Sequence, residues 1–172
     1  MDSSVVSKLK EIFDESRLDV VEHHKGSVCQ SCERKDFYDF RYKCLECNNY
    51  DLCGLCFETR RTSKDHKLSH PMILVFKSLS PEKNQLLDQI IQEKDKLLKE
   101  TAKINIFEGS ECKICKVSPI KGIKIKCDIC INFDMCWDCF GSGEEHEKHS
   151  KDHPTVVFLL PRRNICDIKS LE

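Results

Sequence analysis

The sequence predicts two small α+β modules joined by a long α-helix. Three observations carry that prediction. Short Cys pairs recur along the chain as Cys29-x2-Cys32, Cys44-x2-Cys47 and Cys53-x2-Cys56, and a His pair, His66-x3-His70, follows them. The whole pattern returns 83 positions on (Cys29 to Cys112) as Cys112, Cys115, Cys127, Cys130, Cys136, Cys139, His149 and His153, with no insertion or deletion. Between the copies, Leu86, Leu87, Ile90, Ile91, Leu97 and Leu98 form an apolar stripe in an otherwise charged segment. A repeat at a fixed offset is read first, because each copy is one structural unit.

Each copy holds enough soft and borderline ligands for two tetrahedral Zn²⁺ sites of four ligands, so four structural zinc ions are expected. Cysteines three positions apart can turn both sulfurs to one metal from a single tight turn. The copies also share Gly26/Gly109, Ser27/Ser110, Asp51/Asp134, Phe57/Phe140 and Pro71/Pro154. The alignment settles one ambiguity. His146 lies near His149, but its counterpart is Ser63, so His149 is the expected ligand.

Of the 13 Cys, all but Cys166 belong to the repeat, and Cys166 reads as an incidental thiol. Disulfides would need an oxidising compartment, and residues 1–10 show no apolar signal-peptide core. A reduced, soluble chain of the cytoplasm or nucleus is expected, where paired Cys with trailing His favour metal. No apolar run is long enough to cross a bilayer. A net charge of −1, from 28 Lys+Arg against 29 Asp+Glu, is no footprint for nucleic acid. Modules this small bury little core and need staples. Structural zinc supplies roughly 10–16 kcal/mol per site in small fingers. The metal-free chain is therefore expected to be largely unfolded in both copies.

In chain order, residues 1–21 carry an amphipathic helix from about Ser4 to Ser16. Val5, Val6, Leu9, Ile12 and Phe13 fall at helical spacing behind a Ser cap. Its stripe is expected to pack on the first module, with dimerisation or partner docking as the competing reading. The first module spans 22–78. The alternation from Phe37 to Lys43 suits a half-exposed strand, Tyr50 to Leu52 a short strand, Gly54 to Arg60 a short helix and Pro71 to Phe76 a buried strand. Residues 79–105 form the linker. Ser80, Pro81 and Glu82 are a cap, a first-turn proline and a dipole-matched acid. The helix is expected to run to about Ala102 as a spacer, or else as a coiled-coil dimer strand, although Lys94 interrupts the stripe. The second module spans 106–161, with Ile123 to Lys126 in place of Phe40 to Lys43 and a last strand from Thr155 to Leu160. A charged tail, 162–172, follows.

These residues resemble tandem ZZ-type zinc fingers. The likeness rests on the four ligand pairs, on Arg41-Tyr42-Lys43-Cys44, on Tyr50-Asp51-Leu52-Cys53-x2-Cys56-Phe57, on His24-x-Gly26 and on Pro71-Met72. It covers about residues 24–77 and 107–160. The first copy is similar to the fingers of ubiquitin-pathway and autophagy proteins. The second, with Phe133-Asp134-Met135-Cys136-x2-Cys139-Phe140-Gly141-Ser142-Gly143, resembles the dystrophin-type module. The resemblance implies a cross-brace. Cys29, Cys32, Cys53 and Cys56 would hold one zinc, and Cys44, Cys47, His66 and His70 the other. Cys112, Cys115, Cys136, Cys139 and then Cys127, Cys130, His149, His153 would follow. Spacing alone leaves a sequential pairing open.

ZZ modules bind proteins, and several bind a free peptide N-terminus, of degron or histone-tail type, through acidic side chains. By that resemblance Asp51, Asn49, Asp134 and Asn132 are the candidate peptide-binding residues. The arginine-reading version in the autophagy receptor sequestosome has acids where this chain has Gln30, Asn49 and Asp51, or Lys113, Asn132 and Asp134. One acid per copy remains, and Lys113 would repel an ammonium. Asp51 and Asp134 also fit a plain role in bonding backbone amides, and Asn49 and Asn132 one in the turns between Cys pairs.

Four ligands per zinc leave no open position, which marks a structural and not a catalytic site. The expected function is that of a non-enzymatic adaptor, binding a peptide or partner protein in a ubiquitin, autophagy or chromatin pathway. Two spaced modules would add avidity for a partner with two epitopes. The alternative is the substrate-recognition or E2-recruiting part of an E3 ubiquitin ligase.

Overall fold

The structure is a computed structural model and describes residues 5–12, 23–38, 40–63, 65–75, 78–144, 146–147 and 149–161. The expectations for Phe13 to Ser16, Phe76, Cys166 and the tail lie outside the described residues. In chain order the elements are α1 (Val5–Ile12), β1 (Arg41–Cys44), β2 (Asp51–Cys53), α2 (Gly54–Glu58), β3 (Pro71–Val75), α3 (Pro81–Gln92) and α4 (Lys94–Ile104). The second copy gives β4 (Ile106–Phe107), β5 (Ile120–Lys121), β6 (Lys124–Cys127), β7 (Asp134–Cys136), α5 (Trp137–Ser142) and β8 (Thr155–Phe158).

Each module is an antiparallel meander around its middle strand. Tyr42 of β1 lies opposite both Leu52 of β2 and Leu74 of β3. Ile125 of β6 takes the same place between Met135 and Val157. The strand expected from Phe37 is shorter and begins at Arg41. Ahead of it two isolated bridges are formed, His23 to Tyr38 and Val28 to Lys35. The counterpart of His23 to Tyr38 in the second copy is the β4–β5 pair, Ile106 with Lys121.

The modules are not separate. β3 pairs in parallel with β8, giving one sheet of six strands in the order β2-β1-β3-β8-β6-β7. Met72 sits opposite Val156, an offset of 84 (156 minus 72), whereas the repeat offset is 83. Side chains alternate faces with period 2, so this single step turns equivalent residues of the two copies to opposite faces. Tyr42, Leu52, Met72 and Phe57 share one core with Val156. Ile73, Val75 and Val157 belong to the other, with Ile125, Met135 and Phe133.

That second face also carries the helices. Val5, Leu9 and Ile12 of α1 are buried with Leu87, Ile90 and Leu97 of α3 and α4. So α1 packs chiefly on the linker helices, in a cluster that also holds Ile73 and Val75 of the first module on which it was expected to pack. The linker is not one helix either. It breaks at Glu93, whose φ of −89° and ψ of 38° leave the helical region. The break lets Leu87 and Ile90 on one side, and Leu97 and Thr101 on the other, both become buried. Lys94, the residue that interrupted the stripe, starts α4 and reaches Glu46 of the first module at 2.7 Å. The stripes that would serve a coiled coil are largely covered within the chain.

Candidate metal centres and binding cleft

The β1–β2 and β6–β7 hairpins bring the Cys pairs together, because each strand ends on a ligand: Cys44, Cys53, Cys127 and Cys136. Four clusters result: Cys29, Cys32, Cys53, Cys56; Cys44, Cys47, His66, His70; Cys112, Cys115, Cys136, Cys139; and Cys127, Cys130, His149, His153. In each, the ligand atoms lie within 4.8 Å of one another. The pairing is interleaved, and the sequential alternative falls. His149 is in a cluster and His146 is not; His146 packs on Phe133.

The donor geometry fits zinc. A tetrahedron with Zn–S and Zn–N bonds of the usual length has edges of about 3.3–3.8 Å. Cys47 Sγ stands 3.7 Å from His66 Nδ1 and 3.3 Å from His70 Nδ1. Cys130 Sγ repeats this at 3.7 Å from His149 Nδ1 and 3.3 Å from His153 Nδ1. Cys32 to Cys53 and Cys115 to Cys136 are 3.9 Å between sulfurs. Ligation by Nδ1 follows for all four His. Backbone amides of Glu46 and Cys47 donate to Cys44 Sγ, and those of Ile129 and Cys130 to Cys127 Sγ. Such outer bonds stabilise thiolate.

The titration pattern matches. Burial pushes the Cys44 and Cys53 thiols up to about 12, so gathered thiolates need a cation. Burial acts on Cys29 and Cys112 as well, but backbone N–H donors outweigh it and bring both to about 7. Burial, then the neighbouring His70, holds His66 down to about 4, which keeps it a neutral ligand. Sequence reading missed what fixes the imidazoles. Tyr50 stacks on His66 with centroids 4.2 Å apart, and Phe133 on His149 at 4.4 Å. The signal was there, as an aromatic at both positions of the repeat.

The candidate peptide-binding residues divide. Gln30, Asn49 and Asp51 line one cleft of about 340 Å³, together with Lys25, Gly26, Arg41 and Lys43 and with Pro81, Asn84 and Asp88 of α3. Among the described residues Asp51 is bonded by a side chain and not by the backbone amides of its plain reading. Its carboxylate takes Arg41 Nε at 2.9 Å and Arg41 Nη2 at 3.0 Å. Asn49 and Asn132 have φ of 51° and 54°, the left-handed turn conformation that Asn tolerates. Asp134 lies on the opposite face of the sheet, paired with Lys124 at 3.4 Å. Its Oδ1 is buried with no partner among the described residues. Lys113, expected to repel an ammonium there, bonds Glu111 at 3.2 Å. The contribution of α3 to the first cleft had no sequence signal.

Two stretches match family models: residues 23–68 the ZZ-type zinc finger and residues 112–158 the ADA2 ZZ-type zinc finger. The chain belongs to the ZZ-type zinc-finger proteins, a class of zinc-dependent protein-interaction modules. It is 49% identical over 49 residues to the E3 ubiquitin-protein ligase Kcmf1 of Drosophila melanogaster, covering 28% of this chain and 8% of the relative. It is 28% identical over 126 residues to the autophagy receptor Nbr1 of Schizosaccharomyces pombe, covering 72% and 29%. The chain thus matches under a third of the length of these relatives. Among solved structures, the HERC2 ZZ domain in complex with SUMO1 tail is 32% identical, covers 36% of this chain and 97% of that one, and has a TM-score of 0.30.

Proposed function

We propose that this chain is a non-enzymatic adaptor whose first module reads a peptide, by its free N-terminus, in the cleft beside Asp51. The observation that carries this reading is the cleft itself. Of about 340 Å³, it lies in the range of ligand pockets and is lined by Gln30, Asn49 and Asp51, the positions singled out from the sequence. A carboxylate there offers an α-ammonium a charge-assisted bond. Closed four-ligand clusters support structural zinc over catalytic zinc. The twelve repeat cysteines group as metal ligands, the use of paired Cys that fits a reducing cytoplasmic or nuclear setting.

The pathway is proposed as ubiquitin-linked or autophagic. The relatives' names support it: one is a ubiquitin ligase and another an autophagy receptor. For a ligase, these modules would select substrate.

The zinc-loaded protein should bind free-amine peptides over acetylated ones on an array, and Asp51→Ala should abolish the difference. Equal binding of both peptide sets would refute the reading. Zinc-dependent discharge of ubiquitin from a charged E2 by this chain alone would refute the non-enzymatic part.

A further inference from the structure

We infer that Asp88 of α3 tunes the first module's cleft for a cationic ligand by drawing Lys43 away from Asp51. The inference rests on the reading of that cleft as the peptide site.

The strand geometry creates the problem that Asp88 solves. Lys43 lies opposite Asp51 in the β1–β2 register, and Arg41 projects to the same face two residues away. Two cations thus share one carboxylate in a dry place. The side chains of Arg41 and Lys43 are 4% exposed and that of Asp51 10%. Left to themselves, both cations would bind Asp51, and an arriving ammonium would meet a net positive patch.

Helix α3 changes the balance. Ser80 caps it by accepting from the Lys83 amide, and Pro81 starts it. Asn84 and Asp88 are then four residues apart and share the face turned to the sheet. Asn84 accepts from Arg41 Nη1 at 2.5 Å. Asp88 takes Lys43 Nζ at 2.7 Å, whereas Asp51 is 3.8 Å from the same nitrogen. Lys43 therefore belongs to Asp88. Asp51 keeps its two hydrogen bonds from Arg41 and only a long contact with Lys43, and each of its oxygens retains acceptor capacity. Arg41, Lys43, Asp51 and Asp88 together are neutral, and only the exposed Lys25 adds charge at the rim.

In the second module Lys124, Lys126 and Asp134 stand where the first copy has Arg41, Lys43 and Asp51, and Asp88 lies outside the repeat, on the linker. Asp88 is a positioning residue, acting on Asp51 through Lys43.

The test uses the full zinc-loaded chain and two probes, a randomised hexapeptide pool with free N-termini and the same pool acetylated. Binding is read by fluorescence anisotropy, with zinc content and far-UV circular dichroism as fold controls. Asp88→Asn should weaken free-amine binding about tenfold, the scale of losing one close charge pair. Adding Lys43→Met to Asp88→Asn removes the stranded cation and should restore binding to within about threefold. Unchanged binding in Asp88→Asn overturns the inference. So does failure of the folded double variant to recover, since a merely structural wall would not be rescued. If the unaltered chain shows no preference for the free-amine pool, the peptide reading itself fails and this inference falls with it.

Discussion

Met72 lies directly opposite Val156 in parallel register, and this pair marks where two zinc fingers become one sheet. Small modules bury little core alone. Here each lends its last strand to the other, so Val156 completes the core of the first module and Ile73 enters that of the second. The two fingers should consequently lose stability together.

Ile73 tests that coupling. It is 2% exposed, opposite both Lys43 and Val157. Ile73→Ala should cost about 2–5 kcal/mol, as buried Ile truncations do. Guanidinium unfolding of the zinc-loaded chain should show one transition moved to lower denaturant. Tryptophan emission reports the second module through Trp137, and tyrosine the first through Tyr42 and Tyr50. Separate transitions from the two signals would mean the shared sheet does not couple them.

The interleaved clusters predict how zinc is lost. Cys29→Ser and Cys53→Ser should each remove one ion, and the double variant no more than that. Cys29→Ser with Cys44→Ser should remove two. Native mass spectrometry counts the ions directly. Complete chelation should unfold both modules, because zinc supplies most of the folding free energy in fingers this small. A chelated chain with native circular dichroism would contradict this.

Acid should act through the imidazoles. Burial, then the neighbouring His70, holds His66 down to about 4, and burial, then His153 and His146, holds His149 below its usual value. An unfolded His titrates near 6.5. Between those values the unfolded chain binds protons that the native chain refuses, so stability rises with pH. The His66 contribution is complete above about 6.5 and lost as pH falls to about 4. Bound metal strengthens the effect, because only neutral imidazole ligates. Zinc release, followed with a chromophoric chelator, should climb through that window. A flat profile across it would rule this out.

Much of this was legible in the sequence because metal ligation leaves local marks. The spacing of Cys29 to His70, repeated from Cys112 to His153, named every cluster member, and Ser63 excluded His146. Cluster membership across the hairpins rested on family likeness until the strands showed Cys53 beside Cys29. The parallel joint was not legible. Pro71 to Val75 and Thr155 to Phe158 read only as buried strands, and nothing local tells two such strands that they pair with each other. Glu93 is a good helix former, so propensity gave no warning of the break. It arises because α3 and α4 bury different stripes, a tertiary demand that overrides local preference. The cleft was half legible: Asp51 and Asn49 came from the motif, but Asp88 lies 37 residues beyond Asp51 (88 minus 51) on the linker.

The one-step offset between Met72 and Val156 also decides what two modules can do together. Asp51 follows Lys43, Ile73 and Val157 on one face, and Asp134 follows Lys126 and Val156 on the other. A partner with two epitopes on a short tether cannot reach both, because avidity vanishes when a linker fails to span its sites. The avidity expected from the sequence therefore requires a partner whose two epitopes can reach both faces of the sheet. The check is a titration with one peptide against two copies of it joined by a four-residue linker. The joined form should gain no more than about the twofold statistical factor, against the 10²–10⁴ that productive linkage gives. A hundredfold gain at one joined peptide per monomeric chain would show that both sites open to the same side.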